Sequence, residues 1–170
     1  MSLSSAVETT APSGTESTTY VVLSVGGSSW CLDVRSVREI VPTPRITRVP
    51  GAPSGISGVI NVRGRVIPLG DLGLALGFEE SVVGPRATAV VLDLGVDGAD
   101  LAVLAEVVDV LELGDDRLDL PPDFGLGLAA PFVRAVAHLA DDELALVLEP
   151  NLLFQPTDVP SLPDFHGAGE

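Results

Sequence analysis

The chain has no lysine among its 170 residues. That excludes a Schiff-base lysine, a lysine general base and the lysine of a phosphate-binding loop. Cys31 is the only cysteine, so no internal disulfide can form, a pattern that fits a reducing compartment. His138 and His166 are the only histidines. One lies in an apolar strand-like stretch and the other in a polar tail, and no His, Cys and Asp group has metal-ligand spacing. There is no Gly-x-Ser-x-Gly elbow, and Cys31 has no base placed beside it. No apolar run approaches the ~18 residues of a membrane helix. Residues 1–19 are rich in Ser and Thr and carry neither a basic nor an apolar signal region. The expectation is a cytoplasmic protein that inserts in no membrane, is not an enzyme, and holds no cofactor or metal.

Basic charge is also scarce. The formal net charge is −15, which argues against nucleic acid or an anionic membrane as partner. The charge is uneven. Residues 1–80 carry seven acids and six arginines, whereas residues 81–170 carry 17 acids and three arginines. The six arginines all lie between Arg35 and Arg65. They form either a partner face or an ordinary surface that neutralises nearby acids. The acids of the second half fall mostly in turns (Asp97, Asp100, Asp115, Asp116, Asp141, Asp142), where bonding to local backbone accounts for them. An enzyme with an acidic metal-dependent hydrolase site would need those carboxylates to converge with a histidine, and the spacing shows no such set.

What the chain does have is apolar residues, 46% of the total. A chain of this length buries roughly 70% of its unfolded surface. The organising stretch is 55–72. Two short apolar runs, 56–62 and 65–69, flank Arg63-Gly64. Gly64 supplies the positive φ of a tight hairpin turn, which puts Arg63 at the tip. Pro68, lacking an N–H, belongs near a strand end or on an edge. Asp71 fits an N-cap for a short helix over 72–78. Gly58 in mid-strand marks a bulge or a close approach by another backbone.

Around this hairpin the chain reads as short strands. Residues 1–18 and 156–170 are expected to be disordered tails. Strands are predicted at 20–25 and 30–34, then a single turn followed by strand over 35–41, where Val37, Ile40 and Val41 recur at helical spacing. A short strand at 46–49 precedes the hairpin. After a boundary at 79–85, a strand over 88–94 is apolar enough to be buried on both faces. It is followed by an acidic turn (95–100), a strand at 101–104 with a continuation over 106–113, and a loop at 114–127. A hairpin over 132–148, turning at Ala140-Asp141-Asp142, leads to a short helix at 150–154 with Pro at its first position. The order repeats: hairpin, bent strand, loop, hairpin, short helix. Leu23-Ser24-Val25-Gly26 matches Leu92-Asp93-Leu94-Gly95, and Val37-x-x-Ile40-Val41 matches Val107-x-x-Val110-Leu111. Two copies of about five strands predict an all-β chain of two small barrels, over 19–80 and 86–155. Each is near the size at which a lone core is marginal, so the two should pack together and unfold cooperatively.

The 15 residues Gly58-Val59-Ile60-Asn61-Val62-Arg63-Gly64-Arg65-Val66-Ile67-Pro68-Leu69-Gly70-Asp71-Leu72 closely resemble the signature of the CheW-like coupling domain of bacterial chemotaxis. The resemblance extends upstream through Val37-Arg38-Glu39-Ile40 and Ile46-Thr47-Arg48-Val49-Pro50-Gly51-Ala52-Pro53. It covers most of 19–155, is dense to Leu76, and thins afterwards. Ala105-Glu106, Ala135 and Leu148-Glu149 stand where relatives usually carry Val-Asp, Gly and Leu-Asp, and Gly73 stands where a basic residue is common.

The resemblance implies two SH3-like five-stranded barrels with strand exchange near their border, and a non-catalytic adaptor. Such proteins bind the regulatory domain of a CheA-type histidine kinase and the cytoplasmic tips of chemoreceptors, and are recruited to receptor arrays. Carried onto this sequence, the kinase-facing positions are Leu23, Val34, Val37 and Ile40. The receptor-facing positions are Glu39, Gly58 and Arg63. An adaptor of a different receptor–kinase array, governing surface motility or gene expression, would carry the same pattern. Core packing competes as the explanation of Leu23 and Val34, and a salt bridge within its own barrel, to a residue such as Asp71, competes for Arg63.

Overall fold

One strand, β7 (Asp100–Gly114), runs for 15 residues, roughly 45–50 Å at strand rise. That is too long for one small barrel, and its two halves serve different groups of strands. In the computed structural model, which describes residues 16–42, 45–78, 85–95, 100–121 and 131–154, its first half pairs antiparallel with β6 (Thr88–Asp93) and parallel with β5 (Arg65–Gly70). Its second half pairs antiparallel with β1 (Ser17–Val25). The two strands expected at 101–104 and 106–113 are therefore one.

The barrels separate along this strand. One contains β1, β2 (Ser28–Asp33), the far half of β7, β8 (Leu118–Asp119), β9 (Val133–His138) and β10 (Leu144–Leu148), with β10 parallel to β2. The other contains β3 (Val37–Val41), β4 (Ile56–Val62), β5, β6 and the near half of β7. We call them the outer-acid and arginine barrels. Hydrogen bonding does not follow the chain order of 19–80 and 86–155. The first hairpin, β1–β2, pairs with β7 and β10, and β6 pairs with β3. Strands from either half of the sequence complete the barrel of the other.

Strand alternation explains why the two barrels are inseparable. In β1, Tyr20 and Val22 face the interior of the outer-acid barrel with Cys31, Leu113 and Val147. Val21, Leu23 and Val25 face the opposite way, into a core shared by both barrels. In β6, Ala89 and Val91 fill the arginine barrel with Ile60, Ile67 and Leu69, while Val90 and Leu92 join the shared core. Both strands are buried on both faces, as the unbroken apolar run 88–94 predicts. The short helices α1 (Leu72–Ala75) and α2 (Pro150–Leu153), each following a hairpin, add Leu72 and the adjacent Phe154 to the shared core.

Several local readings shift. The turn before β3 is a 3-10 turn at Val34–Ser36, with Asp33 Oδ1 accepting from Arg35 N–H at 2.8 Å. The expected strand 46–49 is a single bridge, Thr47 to Val59. α1 ends at Ala75 with Leu76 as its C-cap, shorter than 72–78. Strand β8 forms within the expected loop 114–127. β1 begins at Ser17, inside the expected tail. The remainder of that tail to residue 15, the tail 156–170, the core of the boundary 79–84, the turn residues 96–99 and loop residues 122–130 lie outside the described residues.

Candidate functional site

The β4–β5 hairpin pairs Val62 with Arg65, leaving the two-residue turn Arg63-Gly64. Both residues have positive φ, 54° and 85°, the primed turn that matches strand twist. Asn61 Oδ1 accepts from Gly64 N–H at 2.8 Å and holds the turn. Glycine meets this geometry freely. Arginine does not, and its Cβ in the left-handed region costs roughly 1–2 kcal/mol. The turn thus holds an arginine side chain, 81% exposed, at the tip at some cost to folding.

Strand β3 carries the other singled-out positions. Opposite residues of an antiparallel pair share a face. Val37 stands opposite Leu92 and Ile40 opposite Val90, both of the shared core. Glu39 stands opposite Val91 and Val41 opposite Ala89, both of the arginine-barrel interior. The register slips between Val37 and Glu39, so Arg38 sits at a β-bulge. The three-residue spacing of Val37 and Ile40 thus comes from a bulged strand, and not from a helix. Val37 is half-buried against the shared core, while Ile40 and Val34 are each 39% exposed. β3 lies at the end of the strand order, so one of its edges is open.

Glu39 and Arg63 meet. Arg63 Nε lies 3.4 Å from Glu39 Oε2. That oxygen is buried and accepts no hydrogen bond among the described residues. The arginine's partner is therefore Glu39 and not Asp71. Asp71 instead caps α1, accepting from Leu74 N–H at 3.0 Å. Gly58 sits where the β4–β5 register slips. A Cβ there would lie 2.3 Å from the Thr47 carbonyl oxygen. The backbone that approaches Gly58 is the chain's own 47–48 segment, and this accounts for the glycine without a partner.

Most of the arginine cluster is spent internally. Arg35 pairs with Asp33, and the guanidinium holds that carboxyl below its usual range. Arg38 bridges Asp93 at 3.0 Å and Asp100 at 2.8 Å, and Arg65 reaches the other Asp100 oxygen at 2.8 Å. The Asp100 side chain is 3% exposed, and two guanidiniums offset the cost of burying it. This network ties the start of β7 to β3 and β5, and the sequence offered no sign of it beyond the arginine cluster itself. Arg45 and Arg48 are exposed and make no ion pair with another described residue.

Leu23 is 0% exposed. Alternation along β1 puts it in the shared core, so its side chain presents no surface to a kinase. Cys31 is also buried, and desolvation pushes its thiol up to about 11. His138 pairs with Asp119 at 2.6 Å on the surface, and His166 lies outside the described residues. Among the described residues no three His, Cys, Asp or Glu side chains gather as a metal site, and no helix is long and apolar enough to cross a membrane. Sequence reading missed a groove of about 680 Å³ at the base of the β4–β5 hairpin, walled by Ile46, Ile56, Leu69, Leu74 and Leu104.

The family model of the CheW-like domain matches residues 19–157. The chain belongs to the CheW-like domain family. It is 29% identical over 139 residues to the probable chemotaxis protein CheW of Rhizobium etli, covering 81% of this chain and 88% of that protein. It is 31% identical over 134 residues to protein PilI of Pseudomonas aeruginosa, covering 77% and 72%. The crystal structure of the scaffolding protein TtCheW from Thermoanaerobacter tengcongensis superposes with a TM-score of 0.70 at 25% identity, over 82% of this chain and 94% of that one. Two β-barrels are the CheW-like architecture, and all of the strands described above lie within the matched range apart from the first residues of β1.

Proposed function

We propose that this chain is a non-catalytic scaffold that couples chemoreceptor signalling tips to a CheA-type histidine kinase in chemotaxis, working in the cytoplasm at receptor arrays. The observation that carries the reading is the division of β3 into two faces. Val37 and Ile40, with Val34 beside them, form an apolar margin of the shared core that meets the kinase's regulatory domain. Glu39 and the strained tip Arg63 form a charged pair on the other face that meets the receptor. Backbone strain kept at an exposed side chain is a mark of use. The Arg63–Glu39 pair contributes only about 0–1 kcal/mol to folding at such exposure. It is therefore readily exchanged for a partner's carboxylate, to which arginine bonds in a two-pronged, charge-assisted manner. Gly58 serves this face indirectly, by letting the 47–48 segment pack against the hairpin. Leu23 supports the kinase face from beneath.

Co-sedimentation tests the reading. The full chain should pellet with receptor signalling fragments and bring the kinase regulatory fragment with it. A chain that retains neither fragment, or that pellets the kinase fragment equally well without receptor, contradicts it.

A further inference from the structure

The groove at the base of the β4–β5 hairpin lies at the opposite end of that hairpin from Arg63. It holds exposed apolar surface, with Ile46 40% and Leu74 43% exposed. An adjoining hollow of about 310 Å³ shares Gly55, Ile56, Asp71 and Leu74 with it, and its far wall is Leu153 and Phe154. Phe154 is the residue at which α2 ends. The chain therefore leaves the described structure at the mouth of this groove, with residues 155–170 still to come.

We propose that residues 155–165 of the same chain dock in this groove as an extended strap. Three observations fix the occupant. The first is pattern. Pro156, Pro160 and Pro163 favour a polyproline II strap, and at three residues per turn Val159, Leu162 and Phe165 share one face. The second is reach. Ten residues in that conformation span about 31 Å, enough to run from Phe154 past Leu74 to Ile46. The third is charge. The segment carries Asp158 and Asp164 with no Lys or Arg, and the groove's far side offers Arg48, with Arg45 nearby in the chain, neither paired with another described residue. Asp71, the acid in the groove wall, is turned to its capping bond with Leu74 N–H. Segment 1–15 is a poorer occupant, since it has few large apolar residues and enters the fold beside Gly114 in the other barrel. The family match ends at residue 157, so the strap is a feature of this chain beyond the shared domain, and it does not depend on the partners proposed above.

Paramagnetic broadening in the full-length chain tests this. A spin label is placed at Ala168→Cys; Cys31 is fully buried and takes none. The methyls of Ile46, Ile56 and Leu74 should broaden strongly, while those of Val110 and Leu144, exposed on the other barrel, should not. Leu162→Asp with Phe165→Asp should abolish the effect, and Arg48→Glu should weaken it, with unchanged melting temperature. Equal broadening of Leu74 and Leu144, or broadening that survives the double substitution, overturns the proposal. So does broadening seen only between spin-labelled and isotope-labelled chains in a mixture, which would make the occupant a second copy.

Discussion

The two closing hairpins, β4–β5 and β9–β10, occupy equivalent places in the repeat and have become different objects. Each runs its second strand parallel to a strand contributed from the other half of the sequence, β5 beside β7 and β10 beside β2. Each is followed by a one-turn helix that delivers an apolar side chain to the shared core. Their turns differ. The first is a tight two-residue turn with Arg63 at its tip, and the second is a wider turn with Asp141 and Asp142 at positive φ. The helix caps differ too. Asp71 caps α1 through its side chain, whereas Glu149 makes no such bond to α2, which begins with Pro150. The lesson is that the framework is duplicated and the exposed chemistry is not. The strands keep what the shared core needs, and the turns are free to take opposite charges.

The comparison is tested most severely at the framework. If the shared core binds both barrels into one cooperative unit, Leu23→Ala should cost about 2–5 kcal/mol and lower the midpoint of both barrels in a single denaturant transition. Two separated transitions would show that the barrels fold apart. The next largest effect belongs to Gly58→Ala. Its Cβ would press on the Thr47 carbonyl, and overpacking of this kind costs about 1–3 kcal/mol. Chemical denaturation should show the loss even without any partner present, which would sharpen the reading of Gly58 as a folding residue.

The helix caps come next. Asp71→Ala should cost about 1 kcal/mol, the ordinary value of a side-chain cap, while Glu149→Ala should cost little. Equal losses, measured by thermal melting, would erase this distinction between the halves. The smallest effect is a gain. Arg63→Asn puts a residue suited to the primed turn beside Gly64, and should stabilise the fold by roughly 0.5–1 kcal/mol through relief of left-handed strain. A loss of stability there would mean that the Arg63–Glu39 pair outweighs the strain.

Local signals carried much of this far. The Arg63-Gly64 turn, the Asp71 cap and Pro150 at a helix start each rest on the conformational limits of one or two residues, and the structure places all three as expected. The unbroken apolar run 88–94 announced a strand buried on both faces. What escaped depends on contacts between distant segments. Val37 and Ile40 were spaced like a helix, but a bulge at Arg38 produces the same shared face in a strand. Gly58 could be read as a bulge or a close approach, and which backbone approaches it is decided only by the Thr47–Val59 bridge. Leu23 looked equally fit for surface and core, because in β1 both alternating faces are apolar and only the shared core tells them apart. The Arg38–Asp100–Arg65 network joins residues up to 62 positions apart, a pairing that composition cannot reveal.

The central claim is that β3 presents one face to each of two partners. Calorimetric titration of Ile40→Asp and Arg63→Glu, each against the kinase regulatory fragment and the receptor-tip fragment at fixed salt, tests it directly. Both side chains are exposed enough for the folded state to survive. The account predicts a crossed result. Arg63→Glu should lose about 10- to 100-fold in receptor affinity, the loss of one charge-assisted bond, and keep its kinase affinity. Ile40→Asp should do the reverse. Equal receptor affinity for wild type and Arg63→Glu, or loss of both partners by either variant, would contradict it.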